Sequence, residues 1–167
     1  MAGAAAMDRS QDGAPNLRLR PATEADASLL LAWRNDPDVR VASRNTAEVE
    51  PGEHEAWLRE ALGSPDRHLL ICEDDGRPVG QVRIDRLGER RHEISISLDR
   101  TARGRGISVA LIRLGLEWLG GVEPEAVVEA HVREENSRSM AAFRRAGFAP
   151  AGEEAGFQVL QASAHGA

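Results

Sequence analysis

The chain has 167 residues, 41% hydrophobic and 29% charged, which suits one globular domain with a core of its own. Its formal net charge is −6 and its arginines are dispersed among carboxylates, which argues against nucleic acid as a partner. No stretch reads as a secretory signal or a membrane span, and the single cysteine, Cys72, rules out an intrachain disulfide and a thiolate-rich zinc site, so a cytoplasmic, metal-free protein is expected.

Residues 1–16, rich in Ala, Gly, Asp, Ser and Gln, read as a disordered leader. Residues 17–161 read as the single folded domain, and 162–167 as a loose tail. Leu17 to Arg20 alternates and meets Pro21, a short first strand. Thr23 is placed to cap a helix whose first turn carries Glu24 and Asp26 and whose apolar run reaches Trp33. Asn35-Asp36-Pro37 stops it. Pro51 opens a second helix that Gly63 ends. Strands follow over Arg67 to Glu73 and Pro78 to Asp85, joined by the Asp74-Asp75-Gly76-Arg77 turn. After a turn at Leu87 to Arg90, His92 to Leu98 alternates strictly, with Glu93, Ser95 and Ser97 on the polar side. Gly106 to about Leu119 is a third helix, Ala126 to Val132 a strand and Ser137 to Ala146 a fourth helix stopped by Gly147. Phe148 to Ala151 and Gly156 to Leu160 make a closing hairpin. The outcome is an α/β (mixed α+β) fold, a mostly antiparallel sheet of about seven strands flanked by about four helices.

Between the strand His92–Leu98 and the third helix lies Arg103-Gly104-Arg105-Gly106-Ile107-Ser108. Glycines let backbone amides approach a phosphate without a Cβ in the way, and the first amides of a helix have no partner within it. Together they suit an anion. The segment lacks the third glycine of a dinucleotide fingerprint and the Gly-Lys-Ser/Thr of a P-loop. By itself it reads better as a solvated turn.

The loop resembles the coenzyme A signature of the GNAT acetyltransferase superfamily, Arg/Gln-x-x-Gly-x-Gly/Ala, departing from it only at Ser108. A second segment, Asn136-Ser137-Arg138-Ser139 through Phe143 to Gly147-Phe148, is similar to that superfamily's Asn-x-x-Ser…Tyr/Phe…Gly-Phe run. The resemblance covers nearly all of Leu17 to Leu160, with the elements in the same order. It implies acetyl-CoA as co-substrate and direct attack of an amine on the thioester in a ternary complex. It further implies that the backbone of Ile96, Ser97 and Leu98 holds the pantetheine arm, and that Asn136, Ser139 and Phe143 lie against the coenzyme. Glu93 takes the place where several relatives carry a catalytic glutamate, its alternative being a solvated strand carboxylate. His92 should face the other way. Many relatives carry a tyrosine acid where this chain has Phe143, and the chain has no tyrosine at all. That leaves departure as a thiolate, protonation by water or Ser139, or a module that binds acyl-CoA without transferring from it.

The acceptor side of such folds is built from the first two helices and the chain between them. Here the run Trp33-Arg34-Asn35, Val39-Arg40, Ser43-Arg44-Asn45 and Glu53-His54 to Trp57 resembles the nucleotide-amino-sugar branch, the acetyltransferases of pseudaminic acid biosynthesis, in which Arg34, Arg40 and Arg44 would meet a diphosphate. The resemblance implies a small-molecule amine partner, with Trp33, Arg34, Asn35, Arg40, Asn45 and His54 as acceptor-binding residues. Trp33 also fits a core position, and the arginines also fit pairing with Asp36 and Asp38. A protein N-terminal or lysine acetyltransferase is the alternative reading. Oligomeric state stays open, a homodimer being common in such folds.

Overall fold

Period-two alternation in the strands decides what each face of the sheet carries. The computed structural model describes residues 15–165. Its strands are β1 (Leu17–Pro21), β2 (Arg67–Asp74), β3 (Arg77–Gly88), β4 (Arg91–Leu98), β5 (Val127–Arg133), β6 (Ala149–Glu154) and β7 (Phe157–Ser163). They form one sheet in the order β1-β2-β3-β4-β5-β7-β6, antiparallel except for β4 beside β5. The helices are α1 (Ala27–Asn35), α2 (Pro37–Ala42), α3 (Pro51–Gly63), α4 (Ile107–Val122) and α5 (Ser137–Arg145).

One sheet face is apolar across its width. Leu70, Cys72, Val82, Ile84, Ile94, Val128, Ala130 and Leu160 pack there against Ile107, Leu111, Ile112, Leu116 and Leu119 of α4 and Phe143 of α5. Full burial of each large side chain contributes about 1.5–3 kcal/mol. Burial also pushes the Cys72 thiol up to about 11, so it stays protonated at neutral pH, a core thiol as expected. On the other face β2 carries an apolar patch, where Leu69 and Ile71 meet Leu30 and Trp33 of α1 and Leu58 and Ala61 of α3. That face turns polar on the neighbouring strands. Arg83 and Gln81 stand opposite Leu69 and Ile71, and Ser95 and Ser97 stand opposite Arg83 and Gln81. The helices leave this polar part uncovered, and the site lies over it.

Four sequence expectations change. The helix count rises to five because Pro37 starts α2 immediately after α1 ends, with Asp36 accepting from the Asp38 amide at its N-cap. Proline at the first helical position is favourable, so the residue that stops one helix opens the next. The turn expected over Leu87 to Arg90 shrinks, because β3 runs on to Gly88. The tail is not loose from Ala162: β7 continues to Ser163, and Ala164 is buried with its amide donating to Ala126 O at 3.0 Å. Most of the expected leader lies outside the described residues, and Asn16 is tied by its amide to Asp74 at 2.9 Å and by its side chain to Asp75 at 3.0 Å.

Thr23 caps a 3-10 turn, Glu24–Asp26, ahead of α1. The buried Asp26 carboxylate accepts from Arg20 at 2.9 and 2.8 Å and from the Thr23 amide at 2.8 Å. The Arg20 hydrogen bonds, opposed by burial and helped by the Thr23 amide, hold its pKa below the ordinary carboxylate range. A pKa lowered on folding stabilises above the unfolded value, near 3.9, and that stability is lost as pH falls through the folded value. Asp26→Asn is therefore expected to cost about 1–3 kcal/mol at pH 7. The gap should narrow in urea melts taken near pH 3.

Candidate active site

β4 and β5 pair only at Arg91↔Val127, His92↔Val128 and Glu93↔Glu129. Beyond Glu93 the strands diverge, while β4 stays bonded to β3 out to Leu98. The edge of β4 from Ile94 to Leu98 that faces β5 is thus without a partner strand. A cleft of about 710 Å³ opens there, floored by β4 and walled by α2, the loop after it, β5 and α5.

The segment Arg103–Ser108 closes one end. Gly104 (φ 77°) and Gly106 (φ 72°) are left-handed, and Gly106 caps α4 without a side-chain hydrogen bond. The first amides of a sixteen-residue helix are left for an anion. Gly104, Ser108 and Arg103 line the cleft, whereas Arg105, Gly106 and the buried Ile107, also expected at the coenzyme, do not. Both arginines already hold carboxylates. Arg103 bonds Asp36 at 3.1 Å, Asp38 at 2.8 Å and Leu98 O at 3.2 Å, and Arg105 bonds Asp74 at 3.2 Å. Burial raises the Asp36 pKa, but the bonds from Arg100, Arg103 and the Asp38 amide outweigh it and keep the group ionised. Arg103 thus ties the glycine loop to the start of α2.

Ile96, Ser97 and Leu98 line the cleft, and the Ser97 hydroxyl accepts from Gln81 at 3.0 Å, so backbone is what the strand offers there. Asn136 caps α5 by accepting from the Ser139 amide at 3.2 Å, and both residues face the cleft. Phe143 forms part of the wall, packed edge-on against Phe148 at 5.0 Å between ring centres. Its ring has no proton to give.

Glu93 is not a solvated carboxylate. Its side chain is 11% exposed, with Oε1 2.9 Å from Arg44 and 3.7 Å from His131 Nδ1. His131 Nδ1 also meets the Arg44 guanidinium, and its Nε2 lies 3.4 Å from Glu129, which Arg91 holds at 2.8 Å. His92 is buried on the opposite face, as its place in the alternation requires.

The six residues expected to bind an acceptor divide. Arg34 and Asn45 line the cleft. Trp33 does not, being a core residue whose indole donates to Asp99 at 2.8 Å, just ahead of the glycine loop. His54 is buried beside Trp57. Asn35 and Arg40 act on the loop between α2 and α3. Asn35 Nδ2 donates to Val49 O at 2.9 Å while its Oδ1 accepts from the Val49 amide at 2.8 Å, and Arg40 donates to Thr46 O at 3.0 Å. Arg34 donates to Asn45 O and Arg133 to Ser43 O, both at 2.7 Å, so the same loop is held at four points along its length. Arg44 also lines the cleft, and Arg83, His131 and Arg133 do so without having been expected there. Their signal was present: Glu129, His131 and Arg133 alternate along β5, and Arg83 sits on the polar side of β3.

Comparison with known proteins fits this geometry. The profile of the acetyltransferase (GNAT) domain family matches residues 16–149. An uncharacterized protein of Methanocaldococcus jannaschii is 29% identical over 135 residues, covering 78% of this chain and 27% of that protein. The N-alpha-acetyltransferase RimI of Mycobacterium tuberculosis is 34% identical over 103 residues, covering 59% of this chain and 62% of its own. The chain thus spans about a quarter of the first relative's length and under two thirds of the second's. The aminoglycoside acetyltransferase AAC(6')-Ib, solved with paromomycin and acetyl-CoA, shares the fold with a TM-score of 0.78 at 19% identity, over 88% of this chain and 93% of that one.

Proposed function

The chain belongs to the GNAT acetyltransferase domain family, and on that footing we propose that it transfers an acetyl group from acetyl-CoA to a primary amine of a small molecule, a nucleotide-linked amino sugar, in the cytoplasm. The observation that carries the proposal is the parting of β4 from β5 beyond Glu93. It frees backbone donors and acceptors of Ile96 to Leu98 for the amide-rich pantetheine arm, beside a helix start that suits the pyrophosphate. An amide of that free edge polarises the thioester carbonyl, and Glu93 takes a proton from the incoming ammonium. The nitrogen lone pair forms the N–C bond to give a tetrahedral adduct, which loses its second N–H proton as the C–S bond breaks, and the thiolate leaves for water to protonate. With Phe143 in the wall, no side chain is needed for that last step.

Charge supports the acceptor class. Arg34, Arg44, Arg83 and Arg133 line the acceptor end, against Glu93 as the carboxylate between them. Among the described residues Arg34 and Arg133 have no carboxylate partner, and Arg34 Nη1 and Arg133 Nε are buried without an acceptor. Burial, with Arg83 and Arg40 nearby, lowers the Arg34 pKa. A diphosphate on the acceptor meets these guanidinium groups well. The mycobacterial relative's name favours a second reading, a peptide N-terminus as acceptor.

A thiol-release assay over UDP-amino sugars, peptides with free N-termini, polyamines and unphosphorylated amino sugars decides between them. Turnover is expected with the nucleotide sugars, at a kcat/KM about 10-fold or more above unphosphorylated ones, as one charge-assisted bond of about 1.5–3 kcal/mol implies. Turnover of peptides alone overturns the proposal.

A further inference from the structure

The network around His131 contains more proton-handling chemistry than one carboxylate requires. We propose that His131 is a second catalytic base, its Nδ1 accepting a proton of the acceptor nitrogen alongside Glu93; this rests on the acetyl-transfer reading above. Three features of the geometry carry it.

The first is position. Glu93 Oε1 and His131 Nδ1 lie 3.7 Å apart at the point where β4 and β5 separate, both on the cleft side. A nitrogen placed between them reaches both. The second is the orientation of the ring. Nδ1 faces Arg44, which can only donate, and Nε2 faces the Glu129 carboxylate at 3.4 Å. That pairing assigns the imidazole proton to Nε2 and leaves the Nδ1 lone pair toward the cleft. Burial raises the Glu129 pKa, but the hydrogen bonds from Arg91 and His131 outweigh it, so an ionised carboxylate backs the ring. The charged groups facing His131 are Glu93 on β4, with Arg91 behind Glu129, Arg44 on the loop after α2, and Glu129 and Arg133 on its own strand. β7 sets Val159 opposite it.

The third is what already sits there. Arg44 reaches from an exposed loop, its own side chain 52% exposed, to place a guanidinium against both Glu93 and His131. A cation therefore occupies the position that an acceptor's ammonium has to take, and both neighbours accept from it.

The reaction needs both acceptors. An ammonium loses two protons in becoming an amide nitrogen, one before attack and one from the tetrahedral adduct. Nδ1 takes one and Glu93 the other. The nitrogen lone pair forms the N–C bond, the C–S pair leaves on sulfur, and solvent protonates the thiolate and collects the remaining proton.

The test is His131→Asn, which keeps a polar atom near the place of Nδ1 but accepts no proton. It is expected to lower kcat by about 10²-fold with the KM for acetyl-CoA unchanged and the thermal midpoint within a few degrees. The kcat profile of the unaltered protein should fall through two protonation steps as pH decreases, and that of the variant through one. Two steps persisting in the variant, or kcat within twofold, overturns the inference. Histidine ¹⁵N spectra of the full chain give a readout independent of turnover: an Nε2–H tautomer of His131 is expected, and an Nδ1–H tautomer overturns it. An assay silent on every amine sinks the transfer reading instead, and the spectrum then decides the His131 tautomer without it.

Discussion

Glu93→Gln is expected to lower kcat by about 10²- to 10⁴-fold, the usual range for removing a general base, while acetyl-CoA binds as before. Glutamine keeps the shape of the side chain and an oxygen for Arg44, so the cleft holds its form. What disappears is an atom that accepts a proton from the acceptor. The coenzyme affinity should be untouched because Glu93 marks the last residue of β4 still paired with β5, and the free backbone edge begins after it. Thiol release at saturating substrates, paired with calorimetry of acetyl-CoA binding, checks both halves. Activity within twofold would reduce Glu93 to a partner of Arg44.

The second large effect is on the framework. Gly80 on β3 lies opposite Leu98, and a Cβ there would meet the Ser97 carbonyl oxygen at 2.6 Å, Leu98 Cδ2 at 3.0 Å and Leu111 Cδ2 at 3.3 Å. The first of these is backbone of β4, the strand whose free edge is proposed to hold the coenzyme, so it cannot swing aside as a side-chain end does. Gly80→Ala is expected to cost about 1–3 kcal/mol in stability, lowering the melting temperature by about 2–4 °C per kcal/mol. The same substitution should weaken acetyl-CoA binding, because β4 must shift where Ser97 and Leu98 present their backbone. Gly88→Ala on the same strand, with nothing within 4 Å of its Cβ, is the control and should change stability by no more than about 0.5 kcal/mol. Equal losses in both variants would remove the argument from close approach.

The elements carrying a strong period were legible in the sequence. The strict alternation of β4 placed Glu93 on the polar side and His92 in the core, and the apolar face of α4 was readable from Leu111, Ile112, Leu116 and Leu119. The glycine loop was legible because two positive-φ glycines and a helix start capped by glycine, without a capping side chain, leave a local trace. Short or dual-purpose residues were not. α2 has only six residues, too few for a helical period, and Pro37 signals both a stop and a start. The acceptor side was misjudged for a related reason. Asn35, Arg40 and Trp33 are polar or aromatic residues near the cleft whose donors and acceptors are spent on backbone and on Asp99, and such pairing depends on distant chain. The Glu93–His131 neighbourhood is likewise a product of the β4–β5 pairing, which joins residues far apart in sequence.

The four anchors on the segment from Ser43 to Val49 share one property. Arg34, Asn35, Arg40 and Arg133 each grip a peptide group of that segment and none grips one of its side chains. A peptide group is the same whatever residue bears it. Those four anchors therefore survive a change of side chain in the segment, provided no proline removes the Val49 amide, whereas the tie from Arg44 to Glu93 and His131 and the turn that Asn45 makes with the Ala47 amide depend on the residue present. Fastenings indifferent to side chain, on a stretch that borders the cleft, make this the place for an engineer to graft new residues.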